Sequence, residues 1–233
     1  MSKVVPPLLV SELFTSLQGE GPSLGSPRDF LRLGGCNLDC AWCDTPYTWD
    51  FRRFDRAVEL RHLSVEEVQA WLGTTGMPGL VVTGGEPLLQ QVALSALLER
   101  LPQARYVEVE TNGTQRPHAA LLQRVDQWNV SPKLASSGIH EARAWHPDIL
   151  AELAQTQRAW LKLVIADEEE LHRAERWVAR LGWPEERVVA MAEGNTSQAQ
   201  RAGATWLVPR CLERGWRYSP RLHVDLWGDA RRR

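Results

Sequence analysis

Cysteine is scarce, charge is balanced and long apolar runs are missing, and each shortage removes a class of protein. The 233 residues hold four cysteines, too few for a disulfide-stapled secreted fold. Hydrophobic residues make up 43% of the chain and are spread along it, so a sizeable core can form without staples. Lysine and arginine number 27 against 29 aspartates and glutamates, a formal charge of −2. Such a balance supplies no field to gather nucleic acid or an anionic membrane, and a small-molecule substrate is expected. No stretch approaches the ~18 apolar residues of a membrane span, and Met1-Ser-Lys-Val-Val-Pro-Pro is not followed by the apolar run of an export leader. A cytoplasmic location is therefore expected, where thiols stay reduced and a tight cysteine group signals a metal or catalytic site. There is no internal repeat, low-complexity tract or linker, so residues 1–233 are expected to form one domain, within the ~200–250 residues that an α/β barrel occupies. The 11 tryptophans are scattered over apolar positions of predicted elements and read as core or dimer contacts. Arg231–Arg233 lacks interleaved aromatics and does not read as an RNA-binding tail.

Short apolar runs alternate with segments of helical period, which argues for βα units around a largely parallel sheet. The predicted strands are Leu8–Leu13, Phe30–Leu33, Leu80–Thr83, Tyr106–Val109, Val125–Val130, Trp160–Ile165, Val188–Met191 and Thr205–Val208. A helix is predicted from Ser64, where Ser64 and Glu67 have capping-box spacing, and others over Leu88–Leu101 and Glu168–Leu181. Two stretches interrupt the alternation. Gly34 to Arg56 is too long for an ordinary βα turn of ~2–6 residues and carries three of the four cysteines. Pro209 to Arg233 has several Trp and Arg residues but no clear period, and is expected to be a loop.

Cys36, Cys40 and Cys43 form a C-x3-C-x2-C run, preceded by Gly34-Gly35 and followed by Asp44-Thr45-Pro46. A loop this tight can bring three thiolates around one corner of an iron–sulfur cluster, and the glycines permit the turn it needs. Three ligands leave one iron of a four-iron cluster open to chelation. A zinc knuckle completed by Cys211 or a histidine is the competing reading, although structural zinc sites favour two ligand pairs. The run, with Trp42 before its last cysteine, resembles the motif of the radical S-adenosylmethionine superfamily. That resemblance implies a 4Fe-4S cluster which reductively splits S-adenosylmethionine to a 5′-deoxyadenosyl radical. It also implies a partial β/α barrel of that superfamily, with residues 34–56 as its cluster-binding loop.

Further along, Leu80-Val-Val-Thr-Gly-Gly-Glu-Pro-Leu-Leu-Gln90 runs from a strand through Gly84-Gly85-Glu86 to Pro87 at a helix start. Glycines let backbone approach a ligand closely, and proline suits the first helical position. By itself this is a turn; beside the cysteine motif it resembles the superfamily's G-G-E-P segment, which contacts the methionine part of the cofactor. Glu110-Thr-Asn-Gly-Thr114 and Ser131-Pro-Lys133 each close a predicted strand, where barrel enzymes collect their sites. Under the resemblance Trp42, Asp44, Gly85, Glu110, Asn112, Ser131, Pro132 and Lys133 are the expected S-adenosylmethionine contacts.

Leu17-Gln-Gly-Glu-Gly21, Arg32, Cys43-Asp-Thr45 and the C-terminal stretch together are similar to the 7-carboxy-7-deazaguanine synthase family, which makes 7-deazapurines from a carboxylated pterin. The resemblance implies substrate contacts from Leu17, Gln18, Gly19, Arg32 and Thr83, and a Mg2+ beside Thr45. Magnesium prefers hard oxygens and keeps several waters, which suits one hydroxyl plus substrate oxygens. It also implies a homodimer and an electron donor such as flavodoxin or ferredoxin. The family often ends in a Ser-x-Thr-His-Lys-like segment, whereas this chain reads Ser219-Pro-Arg-Leu-His223 and continues for ten residues. His223, expected on a strand, is a candidate substrate contact; the other five histidines have no supporting motif. The competing activities are a glycyl-radical-enzyme activase, which must admit a protein loop, and a non-catalytic zinc-binding protein. Cys211 reads as a buried thiol.

Overall fold

The computed structural model describes residues 5–228 and 230–232; Met1 to Val4, Asp229 and Arg233 lie outside them, as therefore do the start of the N-terminal segment and the end of the basic tail. Nine strands form one sheet among the described residues: β1 (Leu8–Leu17), β2 (Pro27–Leu33), β3 (Arg61–Leu63), β4 (Gly79–Gly84), β5 (Tyr106–Thr111), β6 (Gln127–Val130), β7 (Ala159–Ile165), β8 (Val188–Ala192) and β9 (Arg217–Tyr218). Their order is β3-β1-β2-β4-β5-β6-β7-β8-β9. From β2 through β9 neighbours run parallel, while β1 is antiparallel to both β2 and β3. The outermost strands β3 and β9 do not pair, so the barrel is partial, as expected.

Helices α1 (Arg56–Glu59), α2 (Val65–Thr75), α3 (Gln91–Arg100), α4 (Ala119–Arg124), α5 (Glu141–Ala144), α6 (Pro147–Gln155), α7 (Glu168–Leu181), α8 (Ser197–Arg214) and α9 (Leu222–Trp227) fill the connections. Among the described residues no helix is long and apolar enough to cross a membrane. The start of α2 carries the expected capping box, with the Ser64 Oγ accepting from Glu67 N at 3.2 Å and Glu67 Oε2 accepting from Ser64 N at 2.7 Å. Asp167 caps α7 with its side chain accepting from Glu170 N, and Gly182 ends it at φ 59°.

The period of two along the strands decides where the site lies. Leu31, Leu33, Leu80, Val82, Val107, Val109, Trp128, Val130, Leu161, Leu163 and Ile165 are buried in one core with apolar residues of the helices. The alternate positions Phe30, Arg32, Val81, Thr83, Glu110, Lys162 and Val164 face a cavity on the concave side. Register aligns them: Arg32 lies opposite Thr83, and Glu110 opposite Asn129. Burying one large apolar side chain is worth ~1.5–3 kcal/mol, so the outer rows supply the stability that lets the inner rows remain polar.

Four expectations need correction. Thr205–Val208 is helical, inside α8, because Thr196 caps that helix and Gln200, Leu207 and Cys211 bury one face at helical spacing. Packing thereby overrides both the β-branched run and Pro209, since a four-residue apolar run is ambiguous between strand and buried helix. The stretch from Pro209 is not a loop but the end of α8, then β9 and α9, which puts His223 on a helix rather than a strand. The helix predicted at Leu88 begins as a 3-10 turn over Pro87–Gln90, and α3 starts at Gln91. The sixth strand starts at Gln127 rather than Val125, because Val125 N–H bonds Leu121 O to close α4.

Candidate active site

A cavity of about 870 Å³ opens at the carboxyl ends of the parallel strands. Of the residues expected in the site, Cys36, Cys40, Cys43, Thr45, Trp42, Asp44, Gly85, Glu110, Asn112, Ser131, Lys133, Leu17, Gln18, Gly19, Arg32, Thr83 and His223 all line it. Pro132 does not; it is buried in the turn between Ser131 and Lys133, where its role is to shape backbone.

The three cysteines are free thiols on the loop after β2. Leu38, Cys40, Ile139 and Ala144 form a small apolar cluster of their own, against which Cys36 and Cys43 pack. Burial pushes the Cys36 thiol up to about 12, with the Leu38 N–H opposing and Glu86, Cys40 and Cys43 adding to the rise. Burial raises Cys40 also, against Lys133. Thiolates here need a cationic centre, which a metal cluster supplies. N–H donors already aim at the sulfurs: Leu38 N to Cys36 Sγ at 3.5 Å and Trp49 Nε1 to Cys43 Sγ at 3.3 Å. These features fit a cluster on Cys36, Cys40 and Cys43. Cys211 is buried on α8 in the main core, apart from that group.

The Gly84-Gly85-Glu86 turn is fitted against this loop. Gly85 N donates to Leu33 O at 3.0 Å and Glu86 N to Gly35 O at 2.8 Å. The Glu86 carboxylate is fully buried and accepts from Leu88 N at 3.0 Å, Thr111 Oγ1 at 2.9 Å and Asn112 N at 2.7 Å. It therefore ties the G-G-E-P turn to the end of β5. Asn112 Nδ2 in turn donates to Asn37 Oδ1 at 3.0 Å, linking β5 back to the cysteine loop. Lys133 Nζ donates to Ser131 Oγ at 3.0 Å and lies 5.4 Å from the centre of the Trp42 ring.

Part of the wall is charged. Lys162 is buried, with Nζ 2.9 Å from Glu20 Oε2 and 2.5 Å from Glu110 Oε2. Arg221 pairs with Glu20 Oε1 at 3.0 Å and with Asp44. Gln18 Nε2 donates to Glu108 Oε1 at 2.6 Å and Glu110 Oε1 at 3.2 Å, which holds the Leu17–Gly19 segment over β5. Gly19 lets the imidazole come close, since a Cβ there would lie 2.2 Å from His223 Nδ1 and push that side chain aside. Burial lowers the His223 imidazole, with Glu20 opposing. Glu20, Asp44 and His223 bring possible ligand atoms within 4.8 Å of one another, but Arg221 and Lys162 already meet the charge of those carboxylates.

The radical SAM superfamily model matches residues 31–152. The 7-carboxy-7-deazaguanine synthase of Pyrobaculum aerophilum is 38% identical over 230 residues, covering 97% of each chain. The chain belongs to the 7-carboxy-7-deazaguanine synthase family. The synthase of Halobacterium salinarum is 37% identical, over 97% of this chain and 92% of its own. The crystal structure of QueE from Escherichia coli superimposes with a TM-score of 0.70 at 27% identity, covering 93% of this chain and 95% of that one. Membership in the radical SAM superfamily implies a 4Fe-4S cluster and S-adenosylmethionine, and the free thiol triad is the donor set that fits them.

Several residues in and behind this cavity are not reached by the sequence motifs. Lys162 sits within an apolar strand run, and a lone lysine there was the available signal. Glu20 lay inside the quoted Leu17–Gly21 segment, and Arg221 inside Ser219–His223. Glu86 acts by pinning backbone rather than by facing the cavity, which no spacing reveals. Glu108 is buried below Glu110, with Oε2 lacking a partner. Burial, with Glu110 adding, pushes its carboxyl up to about 7. The native state therefore keeps this proton where the unfolded chain has lost it, and stability attributable to Glu108 falls as pH rises from ~4.3 to about 7. Glu108→Gln should remove that slope: melting temperatures of wild type and variant should agree near pH 4.5 and the variant should be the more stable at pH 7.5. Parallel curves would show that Glu108 does not carry the effect.

Proposed function

We propose that the chain converts 6-carboxy-5,6,7,8-tetrahydropterin to 7-carboxy-7-deazaguanine with loss of ammonia, as a carbon–nitrogen lyase in 7-deazapurine (queuosine) biosynthesis. One observation carries this reading: a single chamber is lined both by the thiol triad and by Gln18, Arg32, Thr83 and His223. When bound, the cluster and S-adenosylmethionine supply the hydrogen-abstracting radical, and the protein's own work is to present one C–H bond to it and keep water out. Arg32 suits a carboxylate. Its Nε is engaged by Glu12 at 2.8 Å, which leaves two terminal nitrogens for a paired contact. Gln18 and Thr83 offer neutral donors and acceptors to a flat ring, and such a polar pocket favours a small molecule over the protein loop that an activase must admit.

The cofactor contacts are read as Trp42, Asp44, Gly85, Glu110, Asn112, Ser131 and Lys133. Thr45, whose Oγ1 lies 3.8 Å from Cys43 Sγ beside the Asp44 carboxylate, is read as the magnesium position. The walls of the chamber come from the strands of one sheet, the loops between them and the segment from α9 onward, which supports a single domain over 1–233. A homodimer, a flavodoxin-like or ferredoxin-like electron donor and a cytoplasmic setting complete the reading.

The test is anaerobic incubation of the reconstituted protein with S-adenosylmethionine, reductant, magnesium and the carboxylated pterin. The deazaguanine carboxylate should form; cofactor cleavage without it would overturn the substrate assignment, and a preparation free of iron and sulfide would overturn the enzyme reading. Thr45→Val keeps shape and removes the oxygen. Product formation should fall ~10–100-fold, the scale of losing a metal-site partner, and no longer respond to added magnesium. An unchanged magnesium response would remove Thr45 from that role.

A further inference from the structure

The chain continues past α9, and its tail returns to the opposite edge of the partial barrel. There it meets Glu12 of β1, whose side chain is fully buried. Glu12 is the shared partner of four groups. Its Oε2 accepts from Arg32 Nε at 2.8 Å and Tyr47 OH at 3.1 Å; its Oε1 accepts from Arg231 Nε at 3.0 Å and Arg232 Nε at 3.4 Å. Arg231 is the better anchored of the two tail arginines. It also reaches Glu59 Oε2 at 2.8 Å, and its guanidinium carbon lies 3.7 Å from the centre of the Tyr47 ring. Burial would push the Glu12 carboxyl up, but Arg32 and Arg231 outweigh it and hold the group below the usual carboxylate range.

A buried carboxylate with one free oxygen draws in any donor within reach, because an unmet charge there is costly. Without Arg231, Oε1 keeps only the longer 3.4 Å contact from the exposed Arg232. Arg32, already bonded to Oε2 through Nε, can then turn a terminal nitrogen to it, because a two-point Arg–carboxylate pair is the favoured geometry. Occupation of Oε1 by the tail keeps Arg32 in a one-point contact through Nε. We propose that Arg231 is a positioning residue: it saturates Glu12 so that the terminal nitrogens of Arg32 stay available to an anionic substrate group. This rests on the reading of Arg32 given under Proposed function. It also assigns a role to the tail residue Arg231, which lies beyond His223.

Two measurements separate this role from simple bracing of the tail. First, a crystal structure of ligand-free Arg231→Ala should show Arg32 turned to a two-point contact on Glu12; an Arg32 placed as in the native chain would overturn the proposal whatever the substrate is. Second, binding of 6-carboxypterin and of pterin without the carboxylate is compared by calorimetry on the reconstituted protein. Arg231→Ala should weaken the carboxylated ligand by ~10–100-fold, the worth of one or two hydrogen bonds to a charged group, leave the other ligand unchanged, and be partly rescued by Arg231→Lys. In a Glu12→Gln background the same substitution should have little further effect, because the competing charge is gone. Equal weakening of both ligands would assign the tail a bracing role and overturn the proposal. If Arg32 turns in the variant but the native protein does not prefer the carboxylated pterin, the substrate reading fails while the positioning role stands.

Discussion

Alanine at Gly85 should empty the protein of iron as completely as alanine at Cys40, although residue 85 offers no ligand. The reason is contact rather than backbone conformation. A Cβ on residue 85 would stand 1.9 Å from Gly35 O and 3.0 Å from Cys36 Cβ. The first of these atoms is main chain and cannot swing away, so the cysteine loop itself has to move. That loop is held in register by Gly85 N–H on Leu33 O and Glu86 N–H on Gly35 O, and the same two bonds would be lost as it shifts. The neighbouring Gly84 is fixed twice over, at φ 130° and with a Cβ 2.1 Å from Leu33 O. Three thiolates must converge to within bonding distance of one cluster, so a displacement of an ångström at Cys36 is enough to prevent assembly. Iron and sulfide per chain after anaerobic reconstitution give the measurement. Cys211→Ala is the control, and should retain the native iron content, because Cys211 packs in the helix-side core. A Gly85→Ala protein with full iron would mean that the G-G-E-P turn serves the cofactor alone; an empty Cys211→Ala protein would replace the three-thiol site with a four-thiol one.

That contact also explains which parts of the molecule could be read from residue order. The cysteine spacing, the G-G-E-P turn and the polar ends of β5 and β6 are local features, each written within a dozen residues. The sheet brings them together because parallel βα units place every strand's carboxyl end on one side. The alternation of apolar and polar positions marks strands well where both rows are long, as in β7. It fails where a run is short: Thr205–Val208 has the composition of a strand, but the buried positions Gln200, Leu207 and Cys211 belong to a helix. Long-range electrostatics were less legible still. Nothing near Glu12 announces that its partners are Arg32, Tyr47 and Arg231, drawn from three separate parts of the chain. Nor does Arg221 reveal from its neighbours that it bridges Glu20 and Asp44. Such pairs depend on how the two ends of an open sheet approach each other, and that is a property of the closed chain.

Lys162→Met should be the most damaging single substitution on the charged wall. Methionine fills nearly the same volume, so the variant isolates the charge. In the native chain Lys162 Nζ bridges Glu20 and Glu110 from a buried position. Removing one partner of a buried ion pair costs ~3–5 kcal/mol, since the carboxylates stay behind without their cation. Arg221 still serves Glu20, but Glu110 keeps only the neutral donors Gln18 Nε2 and Asn129 Nδ2, at 3.2 and 2.8 Å. For a chain of this size a loss of that magnitude corresponds to a fall in melting temperature of ~6–20 °C. The pH dependence follows from the direction of two shifts. Burial would raise the Glu20 carboxyl, yet Lys162 and Arg221 hold it well below its usual value; its contribution is complete above the ordinary carboxylate range and is lost as pH falls through the native value. Burial would lower the Lys162 ammonium, yet Glu110 and Glu20 hold it above its usual value; its contribution is complete below ~10.4 and is lost only as pH rises beyond that. The gap between native protein and variant should therefore be widest and flat from about pH 6 to 9 and narrow on acidification, as Glu20 takes up its proton. Glu110→Gln in the Lys162→Met background should restore part of the loss, because the amide leaves no unpaired charge. Thermal melts of the three proteins from pH 4 to 9 decide it: a Lys162→Met protein within 1 kcal/mol of native across that range would show that water, not Lys162, neutralises the wall.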